Sequence, residues 1–167
     1  MNLARLRSVL AHLPTADLPP RVLNVGCGDY VCAQTLHGAR PGWARFGVDL
    51  DGAALRRAHQ RDPALRLVHS DARCLPGLVK GEFGLVLVRH PDLFRSQAAW
   101  TAILPVLPGL VAPGGGLVIT VYAADEADLL RSMLRLPPDA LDAAQITAPD
   151  LAGHDRFVFV YRMDGHG

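Results

Sequence analysis

Lysine is almost missing from this chain: Lys80 is the only one among 17 basic residues, and arginine supplies the rest. Against 16 acids this leaves a formal net charge of +1, so no global field would hold a polyanion or an anionic membrane surface. Nucleic acid is therefore not implied. The arginine bias reads as nucleotide composition and carries no mechanism. Cysteine is also scarce. Cys27, Cys32 and Cys74 make neither a CxxC pair nor zinc spacing with histidine, and their odd number argues against a disulfide framework. A reducing, cytoplasmic setting is the expectation. No apolar run reaches the length of a membrane span, and residues 1–20 lack the continuous apolar stretch of a signal peptide. Internal repeats and low-complexity tracts are absent.

Apolar side chains make up half of the 167 residues, enough for one domain with a full core. Leu3, Leu6, Val9, Leu10 and Leu13 recur at helical spacing, which predicts an amphipathic helix over 2–12. Pro14, Pro19 and Pro20 set it off, so 1–20 reads as a helix and linker before a domain over 21–163. The helix either packs on the core or covers a ligand mouth. From Val22 the chain alternates between strand and helix. Strands are expected at 21–26, 45–49, 65–69, 83–88 and 117–122, the third and fourth buried on both faces. Helices are expected at 29–38, at 52–61 with Asp51 as cap, and from Arg95 with a break at Pro105 and Pro108. Pro113-Gly114-Gly115-Gly116 reads as the turn into strand five. Asp125 is expected to cap a helix whose inward face is Leu129, Leu130, Met133 and Leu134, ended by Pro137 and Pro138. Two last strands, near 144–148 and 156–162, lie too close for a helical crossover and read as antiparallel. The prediction is a doubly wound, mostly parallel seven-stranded sheet with helices on both faces and an antiparallel C-terminal strand.

In such a sheet ligands bind beyond the carboxyl ends of the strands at the topological switch point, and the polar signals of this chain fall there. Val22-Leu23-Asn24-Val25 opens into the turn Gly26-Cys27-Gly28, where bare backbone lets a ligand approach. Asp49 ends strand two, about 20 residues on, where a carboxylate accepts hydrogen bonds from ribose hydroxyls. Asp71, with the backbone of Ala72, is placed to take an adenine. Arg89-His90 closes strand four.

Together these residues resemble the class I S-adenosylmethionine-dependent methyltransferases over about 22–161. The glycine turn is similar to that family's first motif, Gly47-Val48-Asp49-Leu50-Asp51 to its second and Ser70-Asp71-Ala72 to its third. Phe83-Gly84-Leu85-Val86-Leu87-Val88 is similar to its fourth, Leu110-Val111-Ala112-Pro113-Gly114-Gly115-Gly116-Leu117 to its turn into strand five, and Asp155-Arg156-Phe157-Val158-Phe159-Val160 to its antiparallel last strand. The resemblance implies S-adenosylmethionine as cofactor, held by Asn24, Gly26, Cys27, Gly28, Asp49, Leu50, Asp71, Ala72 and Arg89. Two positions depart from it. Asn24 stands where the family has an acid that helps hold the methionyl ammonium, a loss of about 1 to 3 kcal/mol on the scale of hydrogen bonds to charged groups. Tyr30 stands where a small residue is usual, so its ring either packs away or blocks the mouth.

Methyl transfer needs alignment and exclusion of water more than catalytic side chains. His90 is the candidate general base, against a plain loop histidine. Asp92 and Tyr122 are candidates to orient an acceptor, against turn and helix-start roles. After strand four this chain reads Arg89-His90-Pro91-Asp92-Leu93-Phe94, which lacks the paired prolines of family members that methylate exocyclic amino groups and disfavours adenine or glutamine amide as acceptor. His69 belongs to strand three, and His12, His37, His59, His154 and His166 form no ligand cluster, so no catalytic metal is expected. Cys27 reads as a small filler. Arg56, Arg57, Arg61, Arg66 and Arg73 form either a basic patch or a solvated face. A methyltransferase with an unidentified acceptor leads. A non-catalytic scaffold or partner protein of the same fold is the alternative, and a homodimer, or a partner subunit that supplies substrate recognition, is the expected kind of assembly. A nicotinamide-dependent enzyme, suggested by the GxGxxV spacing of Gly26 to Val31, is a third reading.

Overall fold

A computed structural model describes residues 3–13, 15–79, 82–134 and 157–163. Six strands form one sheet in the order β3-β2-β1-β4-β5-β6. They are β1 (Arg21–Val25), β2 (Ala44–Asp49), β3 (Arg66–His69), β4 (Phe83–Arg89), β5 (Val111–Val121) and β6 (Phe157–Arg162). The first five run parallel and β6 pairs antiparallel with β5, Ile119 opposite Phe159. The expected seven strands become six among the described residues, because the segment near 144–148 lies outside them, as do Pro137 and Pro138.

Strand alternation divides the core in two. Val22, Leu85, Leu87, Val118, Val158 and Val160 face α1 (Ala4–His12), α2 (Ala33–Ala39) and α3 (Gly52–Arg61). Leu23, Val25, Val86, Val88, Ile119 and Phe159 face the other layer, formed by α4 (Leu75–Leu78), α5 (Gln97–Ile103) and α6 (Ala124–Met133). In α1, Leu6, Val9 and Leu10 are fully buried, each worth at most about 1.5 to 3 kcal/mol over exposure. Buried Arg40 donates to the carbonyls of Leu10 and Leu13 at 2.7 and 3.1 Å, tying the C-terminal end of α1 to the end of α2. The core-packing role of this helix is the one observed. No helix among the described residues is long and apolar enough to cross a membrane.

Several expectations need correction. α2 starts at Ala33 rather than 29, because Tyr30 adopts a left-handed φ of 54° that no right-handed helix accommodates. β3 is half-exposed rather than buried on both faces, since it pairs only with β2 among the described strands. β5 begins at Val111, so the proline-glycine run lies within it as an irregularity opposite Phe83 and Leu85. There Gly114, at φ 76°, donates to the Met163 carbonyl, and a side chain on Gly115 would meet the Ala112 and Gly84 carbonyls at 2.8 and 2.9 Å. α6 is capped by Glu126, which accepts from the backbone N–H groups of Tyr122 and Ala123, while Asp125 accepts only from Glu126. Asp51 does cap α3, accepting from Ala53 and Ala54. α5 does give way to 3₁₀ turns at Pro105 and Pro108.

Candidate functional site

The glycine turn is fixed from below by strand two. Gly26 and Cys27 both donate to the Val48 carbonyl, at 2.9 and 3.1 Å, and Gly28 donates to Asp49 Oδ2 at 2.7 Å. Gly26 and Gly28 hold φ values of 66° and 49°. A Cβ at Gly26 would touch the Trp100 ring at 3.4 Å, whereas one at Gly28 would meet nothing within 4 Å. The turn thus rests on an indole and opens at Gly28.

Tyr30 packs away from this opening. It is 2% exposed among Cys27, Cys32, Leu36, Leu55, Ala58 and Leu65, and its hydroxyl donates to the Phe46 carbonyl at 3.1 Å. Burial pushes its phenol well above the ordinary range. The left-handed backbone costs about 1 to 3 kcal/mol, which burying a ring of this size offsets.

Asp49 sits at the tip of β2 and joins two turns: besides Gly28, its Oδ1 accepts from Asp51 N–H at 2.8 Å. Leu50 beside it is 68% exposed, and His69 braces its carbonyl at 2.9 Å. Asp29, next to Gly28, binds Arg57 at 2.8 Å and Arg61 at 3.1 Å, tying the turn to α3. The hydrogen bond from Arg57 is the main reason the Asp29 carboxyl lies below its ordinary value. This clamp was missed in the sequence, although arginines four apart on one helix face were a usable signal. Asp71 lies at the tip of β3 with buried Ala72 behind it, and its own neighbour Arg73 wraps it: Oδ1 accepts from the Arg73 backbone at 2.8 Å and Oδ2 from the guanidinium at 2.6 and 2.9 Å. These contacts hold the Asp71 carboxyl below its usual range. Arg57, Arg61 and Arg73 are therefore paired with acids rather than forming a bare basic patch.

Asn24 does not stand at the surface with the others. It is 2% exposed, donates to Cys32 Sγ at 3.4 Å, and its Oδ1 has no hydrogen-bond partner among the described residues. Cys27 is buried under Gly47, and burial followed by the nearby Asp49 charge pushes its thiol up to about 12, consistent with a filler and not a nucleophile.

At the tip of β4, Arg89 and His90 are half-buried. His90 is left-handed, φ 50°, and its N–H donates to the Thr120 carbonyl at 2.9 Å. Its ring lies 6.5 Å from that of Tyr122, which is 56% exposed beyond the end of β5. Asp92 accepts from Arg95 N–H at 3.1 Å, the turn role, and Phe94 in the same loop is 56% exposed. No group of three metal-ligating side chains occurs among the described residues.

Solved methyltransferase structures match this fold over nearly the whole chain. An rRNA methylase from Streptococcus thermophilus matches with a TM-score of 0.68 at 13% identity, over 96% of this chain and 95% of its own. The fold is that of the class I methyltransferases. The N-methyltransferase NodS from Bradyrhizobium japonicum shares this methyltransferase fold at a TM-score of 0.63 and 16% identity, over 96% and 95% of the two chains. TrmN from Thermus thermophilus matches at 0.68 and 22% identity over 95% of this chain but 48% of its own, so this chain spans about half of it. No protein-family model and no curated protein matches the chain by sequence. Proteins of the methyltransferase fold act on unlike acceptors, so the acceptor has to be argued from the site.

Proposed function

We propose that this protein is an S-adenosylmethionine-dependent methyltransferase. The observation that carries the reading is Asp49: its carboxylate grips the glycine turn through Gly28 at 2.7 Å, joining the two strand tips across which an adenosyl group would lie. The residues present fit that group. Gly28 borders open space, Leu50 offers exposed apolar surface beside the ribose acid, Tyr30 leaves the crevice clear, and the buried Asn24 Oδ1 is an acceptor in want of a donor. Asp49 would take the ribose hydroxyls, since a carboxylate has lone pairs beyond the two already used. Asp71 and Ala72 would take the adenine, and the turn with Asn24 the methionyl end. Arg89 stands at the neighbouring tip. When bound, the cofactor supplies a methyl group activated on a sulfonium.

His90 is the residue we assign to proton removal from the acceptor. Its left-handed backbone donates to the Thr120 carbonyl at 2.9 Å, which supports the reading by holding the main chain of His90 at the end of β4. The acceptor meets this end, and Tyr122 borders it.

Calorimetry with S-adenosylmethionine, S-adenosylhomocysteine and NAD tests the reading. Binding to the first two and not the third is expected. Silence toward both adenosyl ligands would sink it, and binding to NAD alone would replace it with a dinucleotide enzyme.

A further inference from the structure

Two acids stand at adjacent strand tips, and they are not equally free. Asp49 pairs with His69 in the sheet and its carbonyl accepts from Ser70 N–H at 3.1 Å, so Asp71 follows directly beyond the neighbouring tip. A carboxylate offers about four lone-pair sites. Among the described residues Asp49 spends one on each oxygen, on the backbone N–H groups of Gly28 and Asp51. One site per oxygen is left, a match for two vicinal hydroxyls.

Asp71 is spent differently. Its Oδ1 accepts from the Arg73 backbone at 2.8 Å, and its Oδ2 takes both Nε and Nη2 of the Arg73 guanidinium, at 2.9 and 2.6 Å. Oδ2 is filled, and one site on Oδ1 remains. The pairing also cancels charge: a carboxylate held by a guanidinium accepts a further bond much as a neutral oxygen does, whereas a bare one forms the stronger charge-assisted kind.

We propose that Arg73 sets the selectivity of the cofactor site by occupying Asp71, so that the ligand is chosen at its ribose and hardly at all by the 6-amino group of its purine. The inference rests on the methyltransferase reading and concerns what that same site selects. An adenine reaching Asp71 finds one lone pair on a neutralised acid, and its amino group adds little. Purines altered at the 6-position are accepted for the same reason.

The test is calorimetry on two ligands, S-adenosylhomocysteine and its 6-deamino analogue, which carries hydrogen in place of the amino group. The unaltered protein binds the two within about tenfold of each other, the range of a neutral hydrogen bond. Arg73→Ala bares the carboxylate while keeping the backbone bond to Oδ1, and the preference for the amino ligand rises about fivefold or more. Arg73→Lys puts a cation back beside Asp71 and returns the preference toward that of the unaltered protein. The Arg73 side chain is 59% exposed, so these variants fold. A merely structural role would lower both affinities together and leave their ratio unmoved. A preference above about tenfold in the unaltered protein, a smaller rise in Arg73→Ala, or a ratio in Arg73→Lys no lower than in Arg73→Ala overturns the proposal. If neither ligand binds, the methyltransferase reading falls and this proposal with it, whereas binding of both with a ratio blind to Arg73→Ala defeats this proposal alone.

Discussion

Asp49→Ala separates two demands on one side chain. The carboxylate accepts from Gly28 at 2.7 Å and from Asp51 at 2.8 Å, and each charge-assisted bond is worth about 1.5 to 3 kcal/mol. Gly28 is only half-buried and Asp51 is exposed, so water replaces much of what is lost, and the variant loses about 1 to 3 kcal/mol of stability in all. Urea unfolding measures that loss. Weaker cofactor binding by the same variant is ambiguous, since a loosened glycine turn and a missing ribose contact both cause it. A ligand-side deletion resolves the two. S-adenosylhomocysteine and its 2′,3′-dideoxy analogue differ only in the hydroxyls assigned to Asp49. The unaltered protein should prefer the natural ligand by about 1.5 to 3 kcal/mol, roughly 10- to 150-fold. In Asp49→Ala the preference should collapse to near unity while both affinities fall, because the coupling term has gone. Calorimetry on four protein–ligand pairs gives the answer. If Asp49→Ala discriminates between the ligands as strongly as the unaltered protein, the ribose assignment is wrong and Asp49 serves the fold alone.

Four further outcomes follow from other residues. Asn24→Asp buries a carboxylate beside Cys32, so the ligand-free protein loses about 1 to 3 kcal/mol by thermal unfolding, while S-adenosylhomocysteine binds more tightly through the ammonium; unchanged affinity would remove Asn24 from the site. Gly47→Ala drives a methyl to 2.7 Å from Cys27 Sγ and 2.9 Å from Leu67, costing about 1 to 3 kcal/mol, and Cys27→Ala in the same chain restores part of it. Thiol titration of the native protein should modify Cys74 alone, since Cys27 and Cys32 are buried, with all three reacting after unfolding. Asp29 titrates below its ordinary 3.8 in the folded state, so its contribution is present above that value and lost as pH falls through the folded one. Arg57→Ala removes the largest cause of that shift, and its acid unfolding profile should differ least from the parent at low pH and most near neutrality.

The parallel strands and their tips were legible because the signals are local. A buried strand is a run of apolar residues, and Asp49, Asp71 and Arg89-His90 each interrupt or follow one. Asp51 was equally readable as a cap, since it bonds two and three residues away. What escaped was decided by partners distant in sequence. β3 is an edge among the described strands because of strand order, which no property of residues 66–69 reveals. The extent of β5 depends on Met163 closing against Gly114 and Gly115. Among capping residues the choice fell on Glu126 instead of Asp125, since the longer side chain reaches back to the N–H groups of Tyr122 and Ala123.

Tyr30 shows why the candidate site was harder to read than the fold. A large ring two residues after Gly28 reads locally as an obstruction, and its fate depends on whether a cavity of the right size and an acceptor for its hydroxyl exist elsewhere. Both do. Leu55, Ala58 and Leu65 come from α3 and the approach to β3, and the acceptor is the Phe46 carbonyl, 16 residues away. The ring also anchors what it was expected to block. Seated in the core, it holds the backbone beyond Gly28 left-handed, with its N–H on the Cys27 carbonyl at 2.8 Å, while Asp29 beside it is clasped by α3. The glycine turn is thereby pinned at both ends, by Val48 and Asp49 before it and by Tyr30 and Asp29 after it. A turn so preorganised has little conformational entropy left to lose on meeting a ligand, the condition under which bare backbone binds well.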